Sequence, residues 1–293
     1  MMTGDVADLF GMRVLFSQEQ ARAEGAPFLA KTTLPWDERL SLARDFAKSG
    51  KPAIIDNAFG SWFRSLAALK AAGVKEAAIV IPDSQNFLKT PLRTAVVVEE
   101  VKVIFLPIYK CGTSSFRALA HTHFQEFADR DASSSTSLNQ SIDPADERYH
   151  GYKKFTFIRE PMDRFGSFFR DKLLAPKGSP NEEHFIRPIS VLMDEDVSAE
   201  MAAKFISHIP PEYCDPHIKP QWMTITSHDQ VLPDFIFKLG DNERLKEIGI
   251  IHDFPKRLST VGRKSAYGED GTLPSAELIV SEYYKKDKEF WNL

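Results

Sequence analysis

The sequence has few cysteines, no long apolar segment and no strong excess of either charge. Its two cysteines, Cys111 and Cys214, are too few for a disulfide framework, so we interpret both as thiols and leave a single bridge open. No segment approaches the ~20 apolar residues that a membrane-spanning helix needs. The net charge of −4 provides no overall field for nucleic acid or a membrane surface, so an anion site must be built locally.

Two further features are missing from the sequence. Residues 1–16 contain acidic residues and lack the basic start and apolar core of a signal peptide. No group of His, Cys, Asp and Glu has the spacing of metal ligands. We therefore expect a cytoplasmic protein with no membrane span, no nucleic-acid partner and no metal site.

The first 95 residues show the pattern of a small α/β segment. Residues 17–50 predict one or two amphipathic helices with Leu40, Leu42 and Phe46 on the buried side. Strand, helix and strand patterns follow at residues 53–55, 62–72 and 77–81. We therefore predict that residues 1–95 form an N-terminal α/β extension of unknown role and that residues 96–293 form the main domain.

The first motif of the main domain has the layout of a phosphate cradle. The apolar run 101–106 predicts a buried parallel strand, and a helical pattern begins about ten residues later. A loop that joins a strand to a helix start presents backbone N–H groups to an anion. The lysine precedes the glycine here, unlike in a Walker A loop. A simple helix cap is the alternative. The candidate binding residues are Lys110, Cys111, Gly112, Thr113, Ser114 and Ser115.

The second motif follows another apolar strand pattern, at residues 155–158. Arg159 stands at the carboxyl end of this strand, where open α/β sheets bind their ligands. Pro161 predicts a helix start, and Ser167 adds a hydroxyl donor on that helix. An arginine fork at this position suits a phosphate monoester. The alternative is a structural arginine paired with Glu160 or Asp163.

Together the two motifs resemble the signatures of the sulfotransferases that use 3′-phosphoadenosine 5′-phosphosulfate (PAPS). The motifs are Pro-x-x-Lys-x-Gly-Thr-Ser-Ser at 107–115 and Arg-x-Pro-x-x-Arg-x-x-Ser at 159–167. Residues 155–173 are similar to the carbohydrate branch that contains the chondroitin and HNK-1 enzymes. Segments 215–222 and 282–290 also resemble the family, so the resemblance covers roughly residues 100–293. Tyr109 and Cys111 depart from the usual residues around the lysine.

The resemblance implies a fold, a reaction and residue roles. The implied fold is a three-layer α/β, P-loop-like sulfotransferase fold with a mainly parallel central sheet and helices on both faces. The implied reaction moves a sulfuryl group from PAPS to a hydroxyl acceptor, a glycan or glycoconjugate, and leaves 3′-phosphoadenosine 5′-phosphate (PAP). Lys110 would support the leaving phosphate, Arg159 and Ser167 would recognise the 3′-phosphate, and Arg263 in a late basic loop would add a cofactor contact.

The acceptor hydroxyl also needs a general base. His217 is the candidate because it lies in the family-like segment 215–222, and His121, His123 and His150 are the alternatives. Two other functions stay open at this stage. One is a P-loop-like small-molecule kinase, and the other is a non-catalytic protein that binds a nucleotide or a glycan.

Overall fold

A computed structural model describes residues 6–17, 25–28, 34–56, 61–80, 92–130, 138–227, 230–252 and 274–291. None of the helices in these ranges is both long and apolar enough to cross a membrane. The strands are β1 (Val6–Leu9), β2 (Met12–Ser17), β3 (Ala26–Pro27), β4 (Ala53–Asp56), β5 (Glu76–Val80), β6 (Arg93–Val98), β7 (Val103–Phe105), β8 (Gln140–Ile142), β9 (Lys153–Ile158), β10 (Thr226–Ser227), β11 (Gln230–Val231) and β12 (Phe235–Lys238).

The α-helices follow the same chain order. They are α1 (Trp36–Ala47), α2 (Trp62–Ala71), α3 (Thr113–His123), α4 (Pro161–Phe168), α5 (Arg187–Met193), α6 (Ala199–Ser207), α7 (Gln221–Ile225), α8 (Pro274–Tyr283) and α9 (Lys285–Trp291). Shorter 3₁₀ or π segments are Gln125–Phe127, Glu147–Tyr149, Phe169–Leu173, Glu182–Ile186, Pro211–Tyr213 and Asn242–Ile248. The chain thus has the mixed α/β character predicted from its sequence.

The chain divides into two compact units, each made of separate segments. The first unit comprises Met1–Asn86, Phe165–Ile218 and Leu273–Tyr283, and the second comprises Phe87–Arg164, Lys219–Thr272 and Tyr284–Leu293. The first change of unit falls close to the predicted boundary at residue 95. Two later segments that we had placed in the main domain are nevertheless grouped with the N-terminal residues. The assignment of functions to 1–95 and 96–293 stays a prediction.

The first unit is built on a five-stranded sheet in the order β1-β2-β5-β4-β3. Strands β1 and β2 form an antiparallel hairpin, whereas the pairs β2–β5, β5–β4 and β4–β3 are parallel. The predicted β-α-β unit is confirmed as β4, α2 and β5. Helix α5 packs on α2, and α6 packs on α8. The segments of this unit that are distant in sequence are therefore held together by helix packing.

The buried face of α1 differs from the predicted one. Trp36, Arg39 and Ala43 are buried at helical spacing, whereas Leu42 is 44% exposed. Arg39 faces α2 because its guanidinium donates to Ser65 Oγ at 3.0 Å. The prediction was wrong for Leu42, because the buried face follows residues 36, 39 and 43, whereas Leu40 and Phe46 are half-buried.

The second unit contains a five-stranded sheet in the order β12-β9-β7-β6-β8. Strands β12, β9 and β7 are parallel, and β6 is antiparallel to both of its neighbours. The predicted parallel arrangement therefore applies to the strands that precede the two motifs. The run 101–106 forms a shorter strand than predicted. Its first two residues belong to the turn between β6 and β7, where Lys102 has a φ of 51°.

Phenylalanine side chains fix α3 against this sheet. Phe116 of α3 lies 4.5 Å from Phe105 of β7 and 5.2 Å from Phe155 of β9, measured between ring centroids. All three side chains are fully buried. Burying a side chain of this size stabilises the fold by about 1.5–3 kcal/mol. The contact holds the start of α3 next to the ends of β7 and β9.

Candidate functional site

Both predicted anion loops begin at the same edge of the second unit's sheet. Strands β7 and β9 are parallel neighbours with Phe105 opposite Phe155. The loop after β7 starts at Leu106, whose N–H donates to Phe155 O at 2.8 Å. Thr156 Oγ1 donates to Leu106 O at 2.7 Å. Since parallel strands end at the same edge, the first motif and Arg159 lie side by side where α/β sheets bind ligands.

The backbone of the first loop presents the N-terminus of α3. Lys110 has a φ of 69° and Gly112 a φ of 83°, both in the left-handed region. Gly112 is the N-cap, and its carbonyl accepts the N–H of Phe116 at 2.9 Å. Helix geometry leaves the N–H groups of residues 113–115 without partners inside the helix, so they point beyond its N-terminus. This end of α3 can therefore hold a negative charge.

The side chains of this loop divide into two groups. Cys111 is fully buried, and the Thr113 hydroxyl donates to Ile108 O at 3.0 Å. We had predicted both as binding residues, and they can offer an anion only their main-chain groups. Lys110 and Ser115 are half-buried, and Ser114 is exposed. Their side chains are the accessible polar groups of the loop.

Cys111 turns its thiol away from the loop surface. Its Sγ lies 3.3 Å from Gln221 Oε1. Burial raises the pKa of the thiol to about 11, although Arg164 and Arg159 oppose this effect. The thiol therefore stays neutral at physiological pH. Both cysteines are free, which removes the alternative of a disulfide bridge.

The side-chain amide of Gln221 fixes both main-chain polar groups of Arg159. The Arg159 N–H donates to Gln221 Oε1 at 2.9 Å, and the Arg159 carbonyl accepts from Gln221 Nε2 at 2.8 Å. Among the residues that the structure describes, the half-buried guanidinium has no ion-pair partner. Glu160 instead accepts the N–H of Asp163 and lies 3.9 Å from Lys288 Nζ. The alternative of an Arg159 ion pair with Glu160 or Asp163 therefore fails.

The second arginine of the motif has a structural role that we had not predicted. Arg164 is only 2% exposed, and its Nε donates to Tyr109 O at 3.1 Å. Its guanidinium also lies 5.9 Å from the centroid of the Tyr284 ring. Arg164 thus holds the backbone of the first loop through the carbonyl of Tyr109.

Two candidate residues belong to the other unit. The division between the units falls after Arg164, so Ser167 is grouped with the first unit although α4 begins in the second. His217 also belongs to the first unit. Ser167 is half-buried. Arg263 lies outside the described residues.

His217 forms a close pair with Asp215. Its Nδ1 lies 2.7 Å from Asp215 Oδ1, which also accepts the His217 N–H at 2.8 Å. Burial alone would raise the pKa of Asp215, but His217 and Arg64 hold this pKa below its usual range. The ionised carboxylate fixes the orientation of the imidazole. In the neutral tautomer that donates from Nδ1 to this carboxylate, Nε2 carries the lone pair. His217 therefore has the geometry of an oriented general base.

The other histidines have different surroundings. His121 Nε2 lies 2.9 Å from Arg130 O, and His123 stacks on His252 with ring centroids 4.2 Å apart. His150 is exposed. Within the described ranges, no group of three or more His, Cys, Asp or Glu residues could hold a metal ion. Of these four histidines, the candidate His217 is the one for which the structure shows a carboxylate partner at hydrogen-bonding distance.

Gln221 and Asp287 support the site but were not predicted from the sequence. Both are fully buried. Gln221 contacts Cys111 and Arg159, and its own N–H donates to Asp287 Oδ2 at 3.0 Å. Asp287 stands between Lys286 and Lys288, a charge pattern typical of a solvated helix face. Nothing in the local sequence indicates that either side chain is buried.

Comparison with known proteins identifies the family of this chain. A model of the sulfotransferase family matches residues 93–244, which is more than half of the chain. The matched range contains both anion loops, His217 and Gln221. No curated protein and no solved structure shows significant similarity to the chain. The chain belongs to the sulfotransferase family.

Proposed function

We propose that this protein transfers the sulfuryl group of PAPS to a hydroxyl group of a carbohydrate, and that it has the three-layer, P-loop-like fold of its family. Family membership supports sulfuryl transfer in general. The observation that carries the choice of donor is the position of Arg159 beside the N-terminus of α3, at one edge of the sheet.

The residues at this edge suit a ligand with two separate anionic groups. The start of α3 and Lys110 form one receptor, and the Arg159 guanidinium forms the other. PAPS has this character, with a 5′-phosphosulfate and a 3′-phosphate, and when bound it supplies the sulfuryl group. In a complex with a nucleotide that lacks the 3′-phosphate, the Arg159 guanidinium would have no phosphate to bind.

Each candidate residue then has a defined task. Lys110 and the N–H groups of 113–115 stabilise the negative charge that grows on the leaving oxygen. Arg159 and Ser167 bind the 3′-phosphate. His217, oriented by Asp215, accepts the proton of the acceptor hydroxyl. Arg263 remains a proposed contact with the cofactor.

The carbohydrate acceptor rests on the similarity of residues 155–173 to the carbohydrate branch. A panel of oligosaccharides, simple phenols and aliphatic alcohols, incubated with ³⁵S-labelled PAPS, tests this choice. We expect label on an oligosaccharide. Labelling of a phenol or alcohol alone would replace the proposed acceptor class. The cytoplasmic location stays a prediction.

The donor is tested by titrating the purified protein with PAP and with AMP in a calorimeter. We expect the wild type to prefer PAP, and Arg159→Ala to weaken PAP binding about 10–100-fold, as for loss of hydrogen bonds between charged groups. Arg148→Ala removes an exposed arginine from the same unit and is the matched control. No binding of PAP, or equal binding of AMP, would contradict the proposed donor and favour the kinase-like function.

A further inference from the structure

The side chain of Gln221 joins parts of the second unit that are far apart in sequence. It is fully buried at the start of α7. Its Oε1 accepts the Arg159 N–H and lies within hydrogen-bonding distance of Cys111 Sγ, while its Nε2 donates to Arg159 O. One amide therefore contacts both the first loop and the start of the second motif.

Asp287 of α9 holds Gln221 in this place. Its Oδ2 accepts the Gln221 N–H at 3.0 Å and lies 3.4 Å from Gln221 Nε2. Its Oδ1 accepts the N–H of Trp222 at 3.0 Å. The carboxylate thus accepts the first two N–H groups of α7. An N-cap side chain usually does this from the residue before the helix, whereas here the acceptor belongs to another helix.

The hydrogen-bonding capacity of the Gln221 amide is fully used. The oxygen faces two donors, and the nitrogen faces the Arg159 carbonyl and Asp287. A carboxamide has room for these four interactions. Because each partner is fixed, the amide has one orientation. It holds both peptide groups of Arg159 and so determines the direction of its Cα–Cβ bond.

This constraint bears directly on anion recognition. The Arg159 guanidinium has no ion-pair partner among the described residues, so no acidic side chain of these ranges directs it. Its position depends on its main chain and on the ligand. Fixing the main chain lowers the conformational entropy that is lost when the guanidinium binds a phosphate.

We propose that Gln221, held by Asp287, is a positioning residue that directs Arg159 toward the 3′-phosphate of the donor nucleotide. The inference rests on the proposed function, because it concerns the same nucleotide. It extends that function by naming the residues that set the preference for a 3′-phosphate. Gln221 acts through Arg159 and has no contact of its own with the ligand in this proposal.

The test compares the affinities for PAP and for ADP, which lacks the 3′-phosphate, in a double-mutant cycle of Gln221→Met and Arg159→Ala. We expect Gln221→Met to lower the PAP-to-ADP affinity ratio about tenfold in the wild-type background. In the Arg159→Ala background the same substitution should change the ratio less than twofold, since residues that act as a unit are not additive. Equal weakening of both ligands, or the same ratio change in both backgrounds, would overturn the proposal.

Thr156→Val is the matched control for a buried hydrogen bond at this edge of the sheet. Thr156 is fully buried and donates to Leu106 O. Its replacement should lower the melting temperature without changing the affinity ratio. A change of the ratio as large as that in Gln221→Met would mean that any loosening of the sheet edge has this effect, and would overturn the proposal.

Asp287→Asn decides the question if Gln221→Met does not unfold cooperatively. It keeps the size of the side chain and one oxygen acceptor. A fall of threefold or more in the ratio supports the proposal, and an unchanged ratio overturns it. If the wild type itself shows no preference for PAP, the proposed donor fails, and this outcome is distinct from failure of the positioning role.

Discussion

Neighbouring residues of the first loop have different structural roles. Lys110 and Ser114 are accessible, whereas Cys111, which lies between Lys110 and Gly112, is fully buried with its thiol against Gln221. The loop therefore alternates between polar groups that are accessible and groups that attach it to the core. A substitution at Cys111 should act on stability before it acts on binding.

The alkaline stability of the protein should depend on Cys111. Burial raises the pKa of its thiol from about 9 to about 11, so its contribution to stability is complete below pH 9 and is lost as the pH rises through 11. Two pH units correspond to about 2–3 kcal/mol. Urea unfolding of the wild type and of Cys111→Ala at several values of pH from 8 to 11 measures this contribution. The gap between their free energies of unfolding should narrow over this range, and a constant gap would contradict the prediction.

The pairing of His217 with Asp215 predicts a defect in catalysis. His217→Ala removes the proposed base and should lower kcat about 10²–10⁴-fold. Asp215→Asn leaves the imidazole in place but removes the carboxylate that orients it, so kcat should fall by about tenfold or more while the Kd for PAP stays within twofold. Steady-state kinetics and calorimetry measure these effects. His150→Ala alters an exposed histidine and is the control. An unchanged kcat in His217→Ala would exclude this base.

At the scale of elements, the start of α3 depends on a backbone conformation that most residues avoid. Gly112 caps the helix with a φ of 83°. Gly112→Ala should lower the free energy of unfolding by about 1–2 kcal/mol, because a Cβ is strained in the left-handed region. Gly112→Asn should cost less, since asparagine tolerates this region. Urea denaturation of both variants measures the difference, and equal stabilities would mean that the loop relaxes to another conformation.

The strands and helices that carry the motifs were predictable because their patterns are local. Strands β4, β5 and β9 and the start of α4 at Pro161 lie where the apolar runs and the proline indicate. Strand β6 was missed, as was its hairpin with β7. The uninterrupted apolar run 95–98 indicates burial on both faces but not the direction of the neighbouring strand. In α1 the prediction was wrong for Leu42 alone, because the buried face follows Trp36, Arg39 and Ala43 at helical spacing.

At the scale of the whole molecule, the first unit joins segments from both sides of residue 95. Trp62 Nε1 donates to Tyr213 O at 2.8 Å, and Arg64 Nε donates to His184 O at 3.0 Å. Helix α2 contributes the buried residues Phe63, Leu66 and Leu69 to the same core. The segment 165–218 therefore depends on residues that precede the predicted domain boundary.

A fragment of residues 96–293 should not fold as the intact chain does. Removal of α2 exposes the buried apolar side chains of α5 that pack on it, so we expect aggregation or unfolding without a cooperative transition. Size-exclusion chromatography and thermal denaturation test this expectation, and co-expression with residues 1–95 should restore soluble protein. A monomeric fragment that unfolds cooperatively and binds PAP would instead support an independent domain from residue 96 onward.

The sequence by itself determined the two motifs at 107–115 and 159–167, the strands before them and the resemblance to the sulfotransferases. Each of these features is a run of neighbouring residues, and local patterns encode it. Only the tertiary structure decided that Gln221 holds Arg159 across 62 residues, that Asp287 caps Gln221 across 66, and that the first unit is discontinuous. Such contacts form between buried polar groups that are distant in sequence and become neighbours only when the chain folds. No local pattern in the sequence therefore predicts them.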